Sequence, residues 1–256
     1  MDMSNEHFSY IVGFLHGDGH YHVQSRNRGR IAVELSLRDI DILDKMENVF
    51  NDLGIKVKRS NDIITDTNFK KDFHSCELRI FDKKTREFLN IPAGKKSHII
   101  KPPDGVIISH YIRGLFDADG SIGISSLNRP FWSLCTSSEK IKELVVKDIH
   151  DKTGLEKRLN RNKRDNVYNI VIYDEDAVIY SKMLYDAATI YLDRKYNKFC
   201  EIQQWQRVLP KIKSRRKAWL SSEDEIACSS LILKEKMTLL NRSDNSIKTR
   251  IWRLKQ

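Results

Sequence analysis

Cysteine is scarce, with four residues in 256, standing singly at Cys76, Cys135, Cys200 and Cys228. No C-x-x-C pair occurs, so neither a zinc-ribbon pattern nor a secreted disulfide framework is written in the chain, and a reduced intracellular compartment is expected. Long apolar runs are missing as well: no stretch approaches the roughly 18 residues of a membrane span. The opening residues Met-Asp-Met-Ser-Asn-Glu carry acids where a signal peptide carries bases, so no leader is expected. Acid is also the minority charge. Forty-five Lys+Arg against 35 Asp+Glu leave a net +10, which suggests a polyanionic partner. A hydrophobic share of 40% is ordinary for a globular protein and too high for a disordered one. The length suffices for one large or two small domains with no need of a covalent or metal staple.

What is present is a repeat. Tyr10-Ile-Val-Gly13-Phe-Leu-His-Gly-Asp18-Gly19 and Tyr111-Ile-Arg-Gly114-Leu-Phe-Asp-Ala-Asp119-Gly120 align without a gap, matching Tyr, Ile, Gly, Asp and Gly in one register. Beyond each copy the pattern continues in the same order. In the first, Tyr21 to Arg26 and Ile31 to Leu37 alternate apolar and polar residues as half-buried strands do, and Asp39 to Leu53 has helical spacing closed by Gly54. In the second, Ser138 to Thr153 and Gly154 repeat that helix. Strands near 55–60 and 75–81 correspond to strands near 156–160 and 167–173, and last helices begin near Lys83 and Asp174. Each half therefore reads αββαββα, giving an α+β fold with halves at 1–104 and 105–210.

The remaining segment, 211–256, holds 12 basic and 5 acidic residues. Lys211-Ile-Lys-Ser-Arg-Arg-Lys217 reads either as an arm along a phosphate backbone or as a solvated charge run. After it, Ser222-x-x-Glu225 suggests a capping box, helical spacing continues to about Leu240, and Arg242-Ser243-Asp244 opens a further helix. A three-helix, helix-turn-helix-like unit is expected, with Trp219, Ile226, Leu231, Ile247, Ile251 and Leu254 as its core.

An Asp-Gly at the end of one apolar helix could be a turn and nothing more; two at repeat spacing carry more information. If the two helices pack side by side, close approach needs small residues, and Gly13, Gly17, Gly114 and Ala118 supply them. Asp18 and Asp119 then emerge together. Paired carboxylates repel unless a cation lies between them, and hard oxygen donors suit Mg²⁺. Metal-assisted hydrolysis of a phosphodiester is the chemistry such a pair supports.

Gly114-Leu-Phe-Asp-Ala-Asp-Gly120 and Gly13-Phe-Leu-His-Gly-Asp-Gly19 resemble the two signature helices of the LAGLIDADG homing endonucleases in their single-chain form. The resemblance covers roughly residues 8–205. It implies saddle-shaped antiparallel sheets lying in the DNA major groove, a monomer with internal pseudo-twofold symmetry, and Asp18 and Asp119 holding divalent metal beside Gly17 and Ala118. The implied cofactor is Mg²⁺, with Mn²⁺ or Ca²⁺ able to occupy the same sites, and the implied partner is double-stranded DNA cut on both strands at a long asymmetric site, as in intron homing. Asp117 matches the family's earlier acid; the first copy departs from it with His16. The family also places a basic residue near each metal centre, and Lys96 and Lys195 occur in the matching segments, with Lys95 and Lys198 as alternatives. Such a lysine stabilises developing charge or polarises the attacking water.

Gln24, Arg26, Lys56, Lys58, Arg79, Lys157 and Asn169 are expected on the sheet faces, where Arg, Lys, Gln and Asn suit phosphates and base edges. In the tail, Arg215 and Arg216 suit phosphates, while Asn245, Ser246, Lys248, Thr249 and Arg250 belong to the recognition-helix candidate. His20 and His22 form an H-x-H beside Asp18, but no third ligand for a transition metal is evident. Tyr10, Phe14, Tyr111 and Phe116 read as packing residues. The alternatives to an endonuclease are a DNA-binding regulator that has lost cleavage, or an RNA-splicing maturase. An intein is not expected, since Met1 stands where a nucleophile is needed and Lys255-Gln256 where an Asn is.

Overall fold

Asn5 starts the first helix by accepting from the amides of His7 and Phe8, at 2.9 and 3.3 Å. That helix, α1 (Glu6–Gly17), is buried on nearly every side from Phe8 to His16, and its closest partner is α4 (Ile108–Asp119). The computed structural model describes residues 1–26, 28–66, 71–207 and 219–254. These fall into two compact units, Met1–Gln206 and Arg207–Gln256.

In the first unit, the chain after α1 forms β1 (Gly19–Val23) and β2 (Gly29–Ser36), then a 3₁₀ turn, then α2 (Ile40–Asp52), β3 (Val57–Asp66), β4 (Lys71–Ile80) and α3 (Lys83–Leu89). α2 buries Ile42, Leu43, Met46 and Phe50, the spacing of one helical face. The four strands form an antiparallel sheet in the order β1-β2-β4-β3. After α4 come β5 (Gly120–Ile124), β6 (Pro130–Thr136), α5 (Glu139–Thr153), β7 (Tyr168–Tyr173), α6 (Asp174–Tyr185) and α7 (Asp193–Gln203). Ser138 caps α5 by accepting from the Ile141 amide at 3.2 Å, and Gly154 closes it at φ +72°, a conformation open to glycine.

The second half departs from the expected pattern. Its sheet has three strands, β5-β6-β7, and residues 156–160 form no ladder. Leu155, Lys157 and Leu159 are half-buried and alternate with exposed neighbours, as strand residues do. The Lys157 ammonium, however, bonds the Val171 carbonyl of β7, so a side chain occupies an acceptor on that edge strand. Smaller shifts occur elsewhere: β1 ends at Val23, so Gln24 and Arg26 lie in the β1–β2 turn, with Arg26 at φ +57°.

The second unit contains α8 (Ser221–Cys228), α9 (Leu233–Leu240) and α10 (Asp244–Leu254). Glu223, and not Glu225, makes the capping contact, its carboxylate accepting from the Leu220 amide at 3.1 Å. The helical run expected to reach Leu240 breaks after Cys228 into two helices. The core is Ala227, Leu240 and Ile247, flanked by Trp219, Ile226, Leu233 and Ile251; Leu231 and Leu254 are exposed and take no part in it. The basic heptad 211–217 and the expected boundary at 210 lie outside the described residues.

The feature on which the first unit turns is the crossing of α1 and α4. A Cβ built on Gly114 would lie 2.0 Å from the Tyr10 carbonyl oxygen, and one on Gly13 would lie 2.1 Å from that of Tyr111. Backbone meets backbone here, with no flexible side chain to yield. We expect Gly114→Ala to destabilise the protein by about 3 kcal/mol, the upper range for overpacking. Gly123→Ala, whose Cβ would meet only the Phe131 ring at 3.6 Å, should shift stability by less than about 0.5 kcal/mol. Urea unfolding of the two variants decides this; equal midpoints would show that the helix crossing is not constrained in this way.

Candidate active site

The tight crossing brings the C-terminal ends of α1 and α4 together, and with them Asp18 and Asp119. Gly17 and Ala118 sit against each other at this end, since a Cβ on Gly17 would lie 2.4 Å from that of Ala118 and 3.2 Å from an Asp119 carboxylate oxygen. Both acids remain solvent-exposed residues, yet protein encloses one side of each. That partial desolvation, followed by repulsion from Asp119, pushes the Asp18 carboxyl up to about 6. Asp119 is raised by the same desolvation, against the pull of Lys96 and Lys195.

Each acid has a lysine from its own half. The Lys96 ammonium donates to the Gly17 carbonyl at 2.6 Å. That of Lys195, on the first turn of α7, donates to the carbonyls of Phe116 and Asp117 at 2.5 and 2.8 Å. Both therefore cap the negative end of a signature helix. Burial lowers both ammonium groups, Lys195 to about 8, while the neighbouring carboxylates oppose that shift. Of the two alternatives, Lys95 is exposed and Lys198 pairs with Glu201 at 2.7 Å. Two carboxylates and two ammonium groups thus share one small region.

A network that sequence reading missed holds this arrangement in place. The Tyr10 hydroxyl of α1 donates to Asp117 of α4 at 2.7 Å. At the equivalent point the Tyr111 hydroxyl of α4 meets His16 Nδ1 of α1, also at 2.7 Å. The departure at His16 is thus absorbed: a buried imidazole, held near 4 by burial and by Lys96, stays neutral and takes the place of a carboxylate. Asp117 also accepts from the Tyr185 hydroxyl and from the Leu192 amide at 2.8 Å, although burial raises its pKa. Arg113, fully buried, donates to the carbonyls of Ile190 and Leu184 at 3.1 and 2.8 Å. The first half completes the grip: Lys45 donates to the Tyr191 carbonyl at 2.7 Å, and Asp39 receives Arg194 at 2.7 and 3.0 Å. The bonds to Ile190, Tyr191, Leu192 and Arg194 converge on residues 190–194, immediately before Lys195. The aligned pair Tyr10 and Tyr111 was the signal in the sequence that could have revealed the hydroxyl pairs.

The outward faces of the sheets begin at the acids, because β1 follows Asp18 and β5 follows Asp119. Strand register places His20, Arg30, Lys58, Glu77 and Arg79 on the outward face of the first sheet. Glu77 gathers the cations: Arg79 is paired with it, His20 lies 3.9 Å away and Arg30 4.0 Å away. The rings of His20 and His22 lie 4.7 Å apart, and among the described residues no group of three or more His, Cys, Asp or Glu is placed to hold a metal. Lys56 precedes β3 and is exposed, as are Gln24 and Arg26. Asn169 is outward on β7 and accepts from the Cys135 thiol at 3.3 Å. In the second unit, Arg250 donates from Nε and Nη2 to the two Asp224 carboxylate oxygens at 2.7 Å each, and Lys248 pairs with Asp244 at 2.9 Å. Asn245 and Thr249 are exposed on α10, whereas Ser246 is half-buried. Arg215 and Arg216 lie outside the described residues.

Comparison with known proteins agrees with this geometry. Residues 107–184 match the family model of a LAGLIDADG-like domain. A solved structure of the homing endonuclease I-WcaI bound to its DNA recognition sequence is similar at 16% identity and a TM-score of 0.55, covering 78% of this chain and 88% of that one. Full-length DUF199/WhiA from Thermatoga maritima aligns at 15% identity and a TM-score of 0.48, covering 99% of this chain and 91% of that one. No curated protein matches the sequence. No helix among the described residues is long and apolar enough to cross a membrane. Residues 107–184 thus match a LAGLIDADG-like domain, and the chain shares the fold of the solved homing endonuclease, with both copies of the motif in one polypeptide.

Proposed function

We propose that the chain is a site-specific DNA endonuclease, a homing endonuclease that makes metal-dependent double-strand breaks at a long asymmetric target. The observation that carries this reading is the convergence of Asp18 and Asp119, one from each repeat, with Lys96 and Lys195 beside them. A protein that only binds phosphates has no electrostatic use for two carboxylates at its centre, since they repel the ligand. The net charge of +10, the arginines and lysine on the first sheet and the DNA-bound relative of the same fold support a duplex DNA partner. Both acids come from one chain, so a monomer completes the site.

The donor set fits a hard divalent cation such as Mg²⁺, with Mn²⁺ or Ca²⁺ as substitutes. Asp18 and Asp119 would hold it, with the Gly17 and Ala118 carbonyls at hand; when bound, such an ion polarises a phosphoryl oxygen and acidifies its water. The chain's own groups have separate tasks. The two carboxylates fix where charge balance is achieved, and the lysines offset the negative charge that develops on the phosphate. Lys96 donates to the Gly17 carbonyl, which places an ammonium charge beside an atom that a cation would use. This engagement favours the second reading, a DNA-binding regulator or RNA-splicing maturase that kept the scaffold without cutting. The second unit would add a helix-turn-helix-like contact to DNA through Asn245, Lys248 and Thr249.

Asp18→Asn and Asp119→Asn should each suppress double-strand cleavage in Mg²⁺ by about 100-fold or more while leaving duplex binding within about threefold, because each removes a group needed in the transition state and not in the ground state. Cleavage assays beside gel shifts on a selected target measure both; wild-type cutting in both variants would remove the assignment. Lys96→Met and Lys195→Met should slow single-turnover cutting at saturating protein more than they weaken binding. Rescue by excess protein alone would make these lysines phosphate anchors instead. A chain ending at Gln206 should still cut the same phosphates at high concentration, with a shorter footprint and a salt slope of log K shallower by about 0.9 for each phosphate that the second unit no longer neutralises. An unchanged footprint and slope would show that the second unit does not touch DNA.

A further inference from the structure

The two outward sheet faces differ in a way that the repeat does not predict. On the first sheet the face carries Arg30, Lys58, Arg79 and His20 together with Glu34 and Glu77, with Arg79 ion-paired to Glu77 and Lys58 directly across from Arg79. On the second, register places Phe131, Ser133, Cys135, Asn169, Val171 and Tyr173 outward, and no outward position of β5, β6 or β7 carries a charge. Two neighbouring cations are engaged elsewhere. Arg129 is tied to Asp174 by two bonds of 2.9 Å while it stacks on the Tyr173 ring, and Lys157 is bonded to the Val171 carbonyl. The face nevertheless adjoins the paired acids: a cleft of about 260 Å³ is lined by Asp119, Cys135 and Thr136 together with His16 and Gly17.

Resting on the DNA reading above, we infer that the two halves recognise chemically different half-sites, and that the half-site over the second sheet is rich in A·T pairs. Arginine and lysine pair with the O6 and N7 acceptors of guanine, so the first sheet is equipped for G·C pairs. The outward positions of the second sheet's strands have no cation to offer guanine. It presents an apolar strip, Phe131 and Val171, which suits the thymine C5-methyl, and one amide, Asn169, which suits the N6 and N7 of adenine. Asn169 now accepts from the Cys135 thiol, a weak donor that adenine's amino group can replace. Both the apolar strip and the amide therefore point to the same base pair. The asymmetry of the target follows from the chemistry of two faces built on one repeat.

The test uses the full chain. Duplexes bound from a randomised library are sequenced, and each half of a bound site is then rebuilt with deoxyuracil for thymine, which removes only the methyl group. In one half the change should weaken binding about fourfold for each thymine that meets the protein, and in the other it should leave binding within about twofold. Asn169→Ala should relax base preference within the methyl-sensitive half alone, and Arg79→Ala within the other half alone. Selected sites with G·C pairs equally frequent in both halves, or equal sensitivity to deoxyuracil in both, would overturn the inference while the DNA reading stands. Failure to bind any duplex would overturn both.

Discussion

At the crossing of α1 and α4 the carbonyls of Tyr10 and Tyr111 lie where the β-carbons of Gly114 and Gly13 would be. Two helices can approach so closely only if neither carries a side chain at the crossing point, and the gain is dense packing of backbone atoms along an apolar seam. The remaining geometry of the first unit depends on this approach. The chain leaves each helix at an aspartate, each sheet starts at the next residue, and the distance between the two acids is set by how near the helices come. A larger separation would leave two isolated carboxylates on two unrelated surfaces.

Electrostatics then makes the arrangement expensive as well as useful. Burial raises the pKa of both acids, the charge of Asp119 raises that of Asp18 further, and two lysines brought in from the ends of the halves offset part of this. The lysines are themselves held at the carbonyl ends of the helices, where the helix dipole is negative. Their settings are unequal. Lys195 is buried and bonded to several carbonyls behind a dense network from Asp117, Arg113, Lys45 and Asp39, whereas Lys96 makes one such bond and is partly exposed.

Much of this was legible in the sequence because the repeat aligns without a gap and the small residues fall where the helices cross. The strands were legible where side chains alternate strictly, as in Ile31, Val33 and Leu35. Residues 156–160 show the limit of that signal: Leu155, Lys157 and Leu159 alternate as in a strand, but alternation reports which face is buried and not whether the backbone finds a partner. A lysine side chain on the Val171 carbonyl is invisible to periodicity. The same holds for Arg250, whose pairing with Asp224 joins residues on different helices. In the second unit, a Ser-x-x-Glu pattern pointed to Ser222 and Glu225, while the cap falls two residues earlier, at Leu220, and employs Glu223; neighbouring acids made the register ambiguous. The hydroxyl pairs of Tyr10 and Tyr111 needed the three-dimensional crossing to become visible.

The exchange of Asp117 for His16 at matched positions has a bearing on how such a chain changes over generations. In an assembly of two identical subunits every substitution at the crossing is made twice, so both tyrosine partners would have to change together. Here each tyrosine hydroxyl finds a different partner, one carboxylate and one neutral imidazole, at the same 2.7 Å. With both copies in one chain, equivalent sites can differ, as Asp117 and His16 do, while Gly13 and Gly114 are locked to one another by backbone packing. Divergence is free where a side chain can substitute for another and halted where there is room for none.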